Sequence, residues 1–462
     1  MSSGWRRTAA VLLAIVAWGA LAPPAQAVDI QRLKTPLGIE LWYVREPSLP
    51  IIAASIVFQE AGAASVPADK EGLSYLTQVL LDEGAGDLKS LDFQRRLEDL
   101  AIDLNFDANT DTFGVSLRTL TERADEAFRL TGLALAKPRF DEDAIERMRN
   151  AILIDLTERL DDPDDILNRA FSANTFPGHG YGRSVRGTIE AVEKLTRQDL
   201  QDYVRSRFTR DRVVVGAVGD LPIEQVGRLV DLALGDLPAI GTSAPIAEVK
   251  PIVGDEVRVL RKEIPQSSVL LSAWGIKRDD PDYYAAVILN SVLGGASFLS
   301  RLWTEVREER GLAYSVSTSN SPLEHTAYFV GYVATNNEHV AESVRIIREE
   351  IERIVREGVT PDELAASKVY LIGSFALSLD TNARIARTLV SMQISKLGAD
   401  YIDRRVEYYN AVTQDDIKRV ARRIFLGDAN GSGPVKLTTT IIGDPQNIAA
   451  TPVNGTLPAR NG

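Results

Sequence analysis

Two segments about 220 residues apart carry the same order of local signals, and that repeat constrains the fold of the 462-residue chain more than anything else in it. The first runs Leu195-Thr196-Arg197-Gln198-Asp199-Leu200 and ends at Arg207-Phe208. The second runs Val412-Thr413-Gln414-Asp415-Asp416-Ile417 and ends at Ile424-Phe425. Each has a Thr twelve residues before a Phe, with an acidic residue three positions after the Thr. A Thr hydroxyl can accept from the third helical amide while the acid reaches back to the Thr amide, so both read as capped helix starts. An apolar stretch ending at Gly-Asp follows each, residues 213–220 and 436–444, with Pro222 and Pro445 just beyond. One match could be chance. The repeated order predicts a duplicated α+β fold, two homologous halves of a little over 200 residues.

Other periodicities fill in the halves. Phe113, Val115 and Leu117 alternate as a half-buried strand should, and a helical pattern over 122–135 follows. Later, 327–333 reads as a strand, and Val340, Val344, Ile347, Ile351 and Ile354 mark one face of a helix. Thr360-Pro361-Asp362-Glu363 supplies an N-cap, a Pro at the first helical position and an acid at the third. Pro245 and Pro251 punctuate residues 241–256, which read as a linker, and 446–462 reads as a flexible tail. The expected domains are 28–240 and 257–445, each a separately folded unit.

Residues 1–27 read as a secretory signal: Arg6 and Arg7, an apolar run over 9–22, and Ala25-Gln26-Ala27 before the cut. That run is shorter than the ~20 residues a membrane span needs. The mature protein is therefore expected to begin at Val28, to have no membrane span, and to reside in a Gram-negative periplasm or be secreted. A net charge of −12, without a long basic run, argues against nucleic acid as a partner. The absence of Cys removes disulfides, thiolate nucleophiles and Cys-based zinc sites.

Little conventional catalytic equipment remains. The sequence has no GxSxG elbow, P-loop or GxGxxG fingerprint. The Gly-rich residues 178–182 read as a turn, and the Asp-rich residues 161–165 as the start of a helix, because they lack the Gly and distal Glu of an EF-hand loop. His179, His325 and His339 are isolated in sequence, so each reads as a surface or satisfied histidine.

The string Leu293-Gly294-Gly295-Ala296-Ser297-Phe298-Leu299-Ser300-Arg301-Leu302, continuing to Arg310-Gly311-Leu312-Ala313-Tyr314-Ser315, is the most specific in the chain. It closely resembles the C-terminal-domain signature of the M16 (pitrilysin/insulinase, mitochondrial processing peptidase) metallopeptidases. Gly72-Leu73-Ser74-Tyr75-Leu76 and the segment Tyr181 to Thr188 extend the resemblance to the first half. The resemblance implies two α+β domains of the M16 type closing as a clam-like chamber. It also implies a zinc site built from an inverted H-x-x-E-H motif and a later Glu, with the motif Glu as general base.

At the positions that match this motif, the chain has Tyr75-Leu76-Thr77-Gln78-Val79, and at the later Glu it has Asp155. Val79 has no lone pair to give, Gln78 cannot take a proton at neutral pH, and a Tyr with pKa near 10 is a poor ligand. A catalytic zinc needs about three protein ligands and an open position, so no metal is expected there and the chain is expected to be inactive alone. By the same resemblance Arg307 and Tyr314 match a pair that binds the scissile carbonyl and stabilises the oxyanion, with Gly294 and Gly295 in the substrate-binding loop. Two donors of this kind suit a developing negative oxygen. The implied function is that of a metal-free subunit with no bound cofactor, serving an H-x-x-E-H-containing M16 homologue that carries the zinc and cleaves extended peptides. The alternative is a structural or peptide-binding scaffold with no role in catalysis.

Overall fold

The structure, a computed structural model, describes residues 29–451; the signal expected over 1–27 and residues 452–462 lie outside the described residues. In the first half the strands are β1 (Ile30–Lys34), β2 (Glu40–Arg45), β3 (Ile51–Phe58), β4 (Gly84–Ala85), β5 (Leu88–Lys89), β6 (Asp103–Ala108), β7 (Phe113–Leu120) and β8 (Val213–Gly219). The second half has β9 (Val257–Arg261), β10 (Gln266–Trp274), β11 (Ala313–Pro322), β12 (Ala327–Asn336) and β13 (Thr438–Gly443). They build a six-stranded sheet, β1-β2-β8-β3-β7-β6, and a five-stranded sheet, β11-β12-β10-β13-β9, while β4 and β5 pair separately.

With β1 set aside, the two sheets have the same order: β2-β8-β3-β7-β6 corresponds to β9-β13-β10-β12-β11. In each, the strand after the Thr-capped helix runs parallel to one neighbour, β8 with β2 and β13 with β9. The remaining pairs of each order are antiparallel. The duplication read from the sequence is thus a duplication of topology. Its helix starts form as capping boxes: Thr196 opens Arg197–Arg207, Thr413 opens Gln414–Leu426, and Thr360 opens Pro361–Ala376 with its Pro at the start. Val340–Glu357 buries the five aliphatic residues its spacing predicts. The helix expected from 122 begins as Ala124–Ala136, because Thr121–Arg123 forms a separate 3-10 turn.

The halves do not merely touch. Helix Asn382–Ile394 belongs to the second half by sequence but lies across the first sheet, where Ala386, Leu389 and Met392 pack against Trp42, Val44 and Val218. A Cβ on Gly216 of β8 would stand 2.4 Å from the carbonyl oxygen of Ala386, so the close approach of helix to strand requires glycine there. In return, helix Pro163–Thr175 of the first half places Leu167 and Phe171 against Leu270 and Ile442 of the second sheet. Each half covers a face of the other's sheet.

The connection over 241–256 is held along its length. Ile246 is buried with Ala64, Phe176 and Tyr181, the Val249 amide donates to the His325 carbonyl, and the Ile252 amide donates to Thr175. Residues 446–451, read from the sequence as the start of a loose tail, are tied down as well. The Gln446 amide donates to the Asn337 carbonyl, and Thr451 exchanges hydrogen bonds with Val257. Among the described residues, no helix is long and apolar enough to cross a membrane.

Candidate functional site

The four positions that the sequence resemblance matches to a zinc site lie on one short helix and its C-cap, and on a second helix, of the first half, and each has a different occupation. Leu73–Gln78 begins at Gly72, whose φ of +89° favours glycine, and it buries Leu73 and Leu76. Tyr75 and Val79 are half-buried against the same core. Gln78, which the resemblance matches to the motif Glu, accepts a hydrogen bond from the Ala108 amide at the end of β6 (2.9 Å). Its carboxamide ties the helix to the sheet edge. Asp155, on Glu142–Glu158, accepts from Arg159 Nε at 2.9 Å on both oxygens and lies 3.4 Å from Arg186 Nε. The Arg186 guanidinium stacks on the Tyr75 ring at 5.0 Å. Arg159 also reaches Asp165 at 2.9 Å.

These residues do not fit a zinc ion. Between the first and third ligand positions stands a guanidinium, already paired with the only carboxylate of the set. A divalent cation there would displace one arginine and be repelled by another, with no imidazole to bind it. The absent imidazoles are legible in the sequence; the arginines gathered around Asp155 are not. Nearby, Asp162 caps Pro163–Thr175 by accepting from the Asp165 amide, so the Asp-rich run is a helix start, as its sequence suggested.

The opposite half-site is built differently. Arg301, with a side chain 9% exposed, forks onto Glu363 at 2.6 and 2.7 Å and donates to the Gly358 carbonyl, fixing the start of the segment that carries Arg307. Trp303–Glu308 winds as a π-helix, a conformation frequent at functional sites. Gly311, with a φ of +62°, turns the chain, and the Leu312 amide closes onto the Val306 carbonyl. The next strand is β11, at the edge of its sheet. Its register against β12 slips between Ala313 and Ser315, so Tyr314 is the extra residue of a bulge. A bulge re-aims a side chain. Tyr314 projects with 81% of its surface exposed.

Arg307 lies between two rings, 3.9 Å from the Trp303 centroid and 4.7 Å from that of Tyr314. Cation–π contact holds a guanidinium by its faces and leaves its N–H edges available. Among the described residues those edges donate to no carboxylate or carbonyl. Trp303 in turn meets Phe298 edge-on at 4.5 Å. Phe298 has a φ of +67°, strained for a side chain of its size. Gly294 is required by packing, since a Cβ would stand 2.8 Å from Thr318 Oγ1; Gly295 has the same constraint against Asn290 but is exposed. The structure therefore brings Arg307 and Tyr314 together, and Tyr75 and Asp155 together through Arg186. Among the described residues no hydrogen bond, ion pair or ring contact joins the two groups. Trp303, whose ring faces the Arg307 guanidinium, carries no signal of that role in the sequence.

The fold is a duplicated α+β chain, with Arg307 stacked between Trp303 and Tyr314 in one half and Asp155 paired with Arg159 and Arg186 in the other. The chain belongs to the M16 peptidase family. Residues 47–189 match the family described as insulinase (peptidase family M16), and residues 194–371 match the peptidase M16 inactive domain. Among similar proteins is an uncharacterized zinc protease, YmxG of Bacillus subtilis, 25% identical over 401 residues, which span 86% of this chain and 96% of that protein. Another is the non-peptidase homolog YmxG of Helicobacter pylori, 29% identical over 357 residues, 76% of this chain and 80% of that protein. The crystal structure of a peptidase M16 inactive domain from Pseudomonas fluorescens matches with a TM-score of 0.82 at 25% identity, covering 92% of this chain and all of that one. A protease structure from Helicobacter pylori shares the fold, with a TM-score of 0.79 at 18% identity over 90% of this chain and 99% of that one. Names on both sides of the catalytic divide occur among these relatives, so the residues at the site must decide.

Proposed function

We propose that this chain is the subunit of an exported M16 peptidase pair that lacks a catalytic zinc, lending Arg307 and Tyr314 to a zinc site carried by an H-x-x-E-H-containing homologue. One observation carries the reading: the Arg307 guanidinium is held by two ring faces with its donor edges unpaired, and Tyr314 is thrust outward beside it by a strand bulge. A structural arginine of this exposure would ordinarily pair with one of the chain's many carboxylates. The two donors can grip a substrate carbonyl and meet the negative charge that grows on it. Edge strand β11 leaves backbone groups for an extended peptide to pair with, beside Tyr314 and the exposed Gly295. The test is to co-purify this chain with a secreted H-x-x-E-H homologue and compare peptide cleavage by the pair with that by either chain alone. Rapid cleavage only by the pair supports the reading. Full activity of the homologue alone leaves the scaffold alternative.

Two further outcomes are expected. The purified chain cleaves no peptide by itself, and Asp155→Ala leaves its zinc content unchanged, because Asp155 is occupied by Arg159 and Arg186. Metal analysis showing a zinc lost in that variant would refute the degenerate-site reading. N-terminal sequencing of material from the native host should begin at Val28 in a periplasmic or secreted fraction; an intact Met1 in the cytoplasm would overturn the export proposal.

A further inference from the structure

We propose that Glu60, Glu324 and His325 form a divalent-cation site of the zinc type that pins the second half's β11–β12 turn to the first half. His325 reads as isolated in the sequence, but the fold places it with two carboxylates from distant segments. One ligand atom from each of the three residues falls within 4.8 Å of the others, a spread that a single ion can draw together.

The Glu60 and His325 side chains each have a second partner, and Glu324 is held through its backbone. Glu60, held at a φ of +57° after β3, accepts the Ile246 amide on Oε2 at 2.7 Å, which leaves Oε1 directed toward the histidine. The Glu324 amide donates to Asp111 Oδ2 at 3.0 Å. The His325 amide donates to the Tyr181 hydroxyl at 3.0 Å, and that hydroxyl donates to Asp111. His325 Nδ1 lies 3.4 Å from Glu248 Oε1, and Lys277 holds Glu248 from outside. A carboxylate behind the non-ligating nitrogen is the usual support for a metal-binding imidazole.

Two side-chain atoms of the cluster are left unsatisfied. Glu324 Oε2 and His325 Nε2 are both buried without a hydrogen-bond partner. Glu60 Oε1 stands 3.0 Å from that nitrogen, within ion-pair reach but without hydrogen-bond geometry. Two carboxylate oxygens and an imidazole nitrogen crowded together, with Glu324 Oε2 and His325 Nε2 lacking any hydrogen bond, are a donor set that suits zinc with one position open. The ion would bridge the end of β3 to the turn across the junction of the halves, through residues other than Tyr75 and Asp155.

The test uses the mature chain, stripped with chelator and titrated with zinc sulfate by calorimetry, alongside metal analysis. One zinc per chain is expected. Loss of an outer partner of a metal ligand typically weakens binding 10–100-fold, so His325→Ala and Glu60→Gln should each weaken it about a hundredfold or more. Glu248→Gln should weaken it about tenfold, and Asp155→Ala should change nothing. Cobalt in place of zinc should give visible d–d absorption that His325→Ala abolishes. Melting curves of the metal-free variants verify folding, and Glu60→Asp, which keeps the carboxylate, should recover part of the affinity. No stoichiometric zinc in the wild type overturns the site and leaves a plain His–Glu ion pair. Zinc that survives both ligand variants overturns it too, as does zinc lost only with Asp155→Ala.

Discussion

Tyr314→Phe should reduce peptide turnover by the assembled pair about 10²–10³-fold while leaving assembly intact. Removing one preorganised oxyanion donor costs about 3–4 kcal/mol of transition-state stabilisation, and this substitution removes a single hydroxyl while keeping the ring that stacks on Arg307. The side chain is 81% exposed, so folding should change by less than about 0.5 kcal/mol. Arg307→Ala should cost at least as much in turnover. Arg307→Lys should rescue it poorly, because an ammonium cannot stack between Trp303 and Tyr314 and still present a fork of donors. The loss should fall mainly on kcat, since the charge these donors meet develops only as the reaction proceeds. Trp303→Ala provides an internal comparison: it keeps both donors but frees Arg307 to swing, so an intermediate loss is expected. The measurement is steady-state cleavage at saturating partner concentration, with complex formation followed separately. Variants that assemble and cleave like wild type would make the pair structural and favour the scaffold.

The duplication was legible because its signals are local. A Thr three residues before an acid fixes a helix start whatever the remainder of the chain does, and Thr196, Thr360 and Thr413 all form capping boxes. The degenerate ligand set was legible because Val79 and Gln78 cannot perform their required chemistry in any surroundings. What could not be read depends on distant neighbours. Arg186 and Arg159 are two among many arginines until the fold sets both against Asp155. The bulge that aims Tyr314 arises from pairing with β12, not from residues 313–315 alone. His325 looks solitary because its partners Glu60 and Glu248 are contributed by the other half and by the connection. The exchange of helices between halves was hidden for the same reason: the apolar face of Asn382–Ile394 has the ordinary helical spacing, and nothing in the spacing says which sheet it will cover.

Cutting the chain within 241–256 should leave a single particle, although the sequence suggests two separable units. The first sheet presents Trp42, Val44 and Val218 to a helix that comes from the second half, and the second sheet presents Leu270 and Ile442 to a helix from the first. Each cover is lost if the halves part. Burying one large aliphatic or aromatic side chain contributes roughly 1.5–3 kcal/mol, so the two exchanged helices together outweigh the stability of an ordinary domain's margin. The connection also resists attack, since Ile246 is 8% exposed and its neighbours' amides are hydrogen-bonded to both halves. An engineered protease site placed there should therefore give two bands on a denaturing gel and one peak, at the uncut elution volume, in native size exclusion. Residues 28–240 expressed alone should aggregate, because the face that Leu389 covers would meet water. Leu389→Ala in the full chain, fully buried at the junction, should cost about 2–5 kcal/mol in denaturant unfolding. A soluble, cooperatively folding 28–240 fragment, or two peaks after cleavage in native buffer, would show that the exchanged helices contribute little and that the halves stand alone.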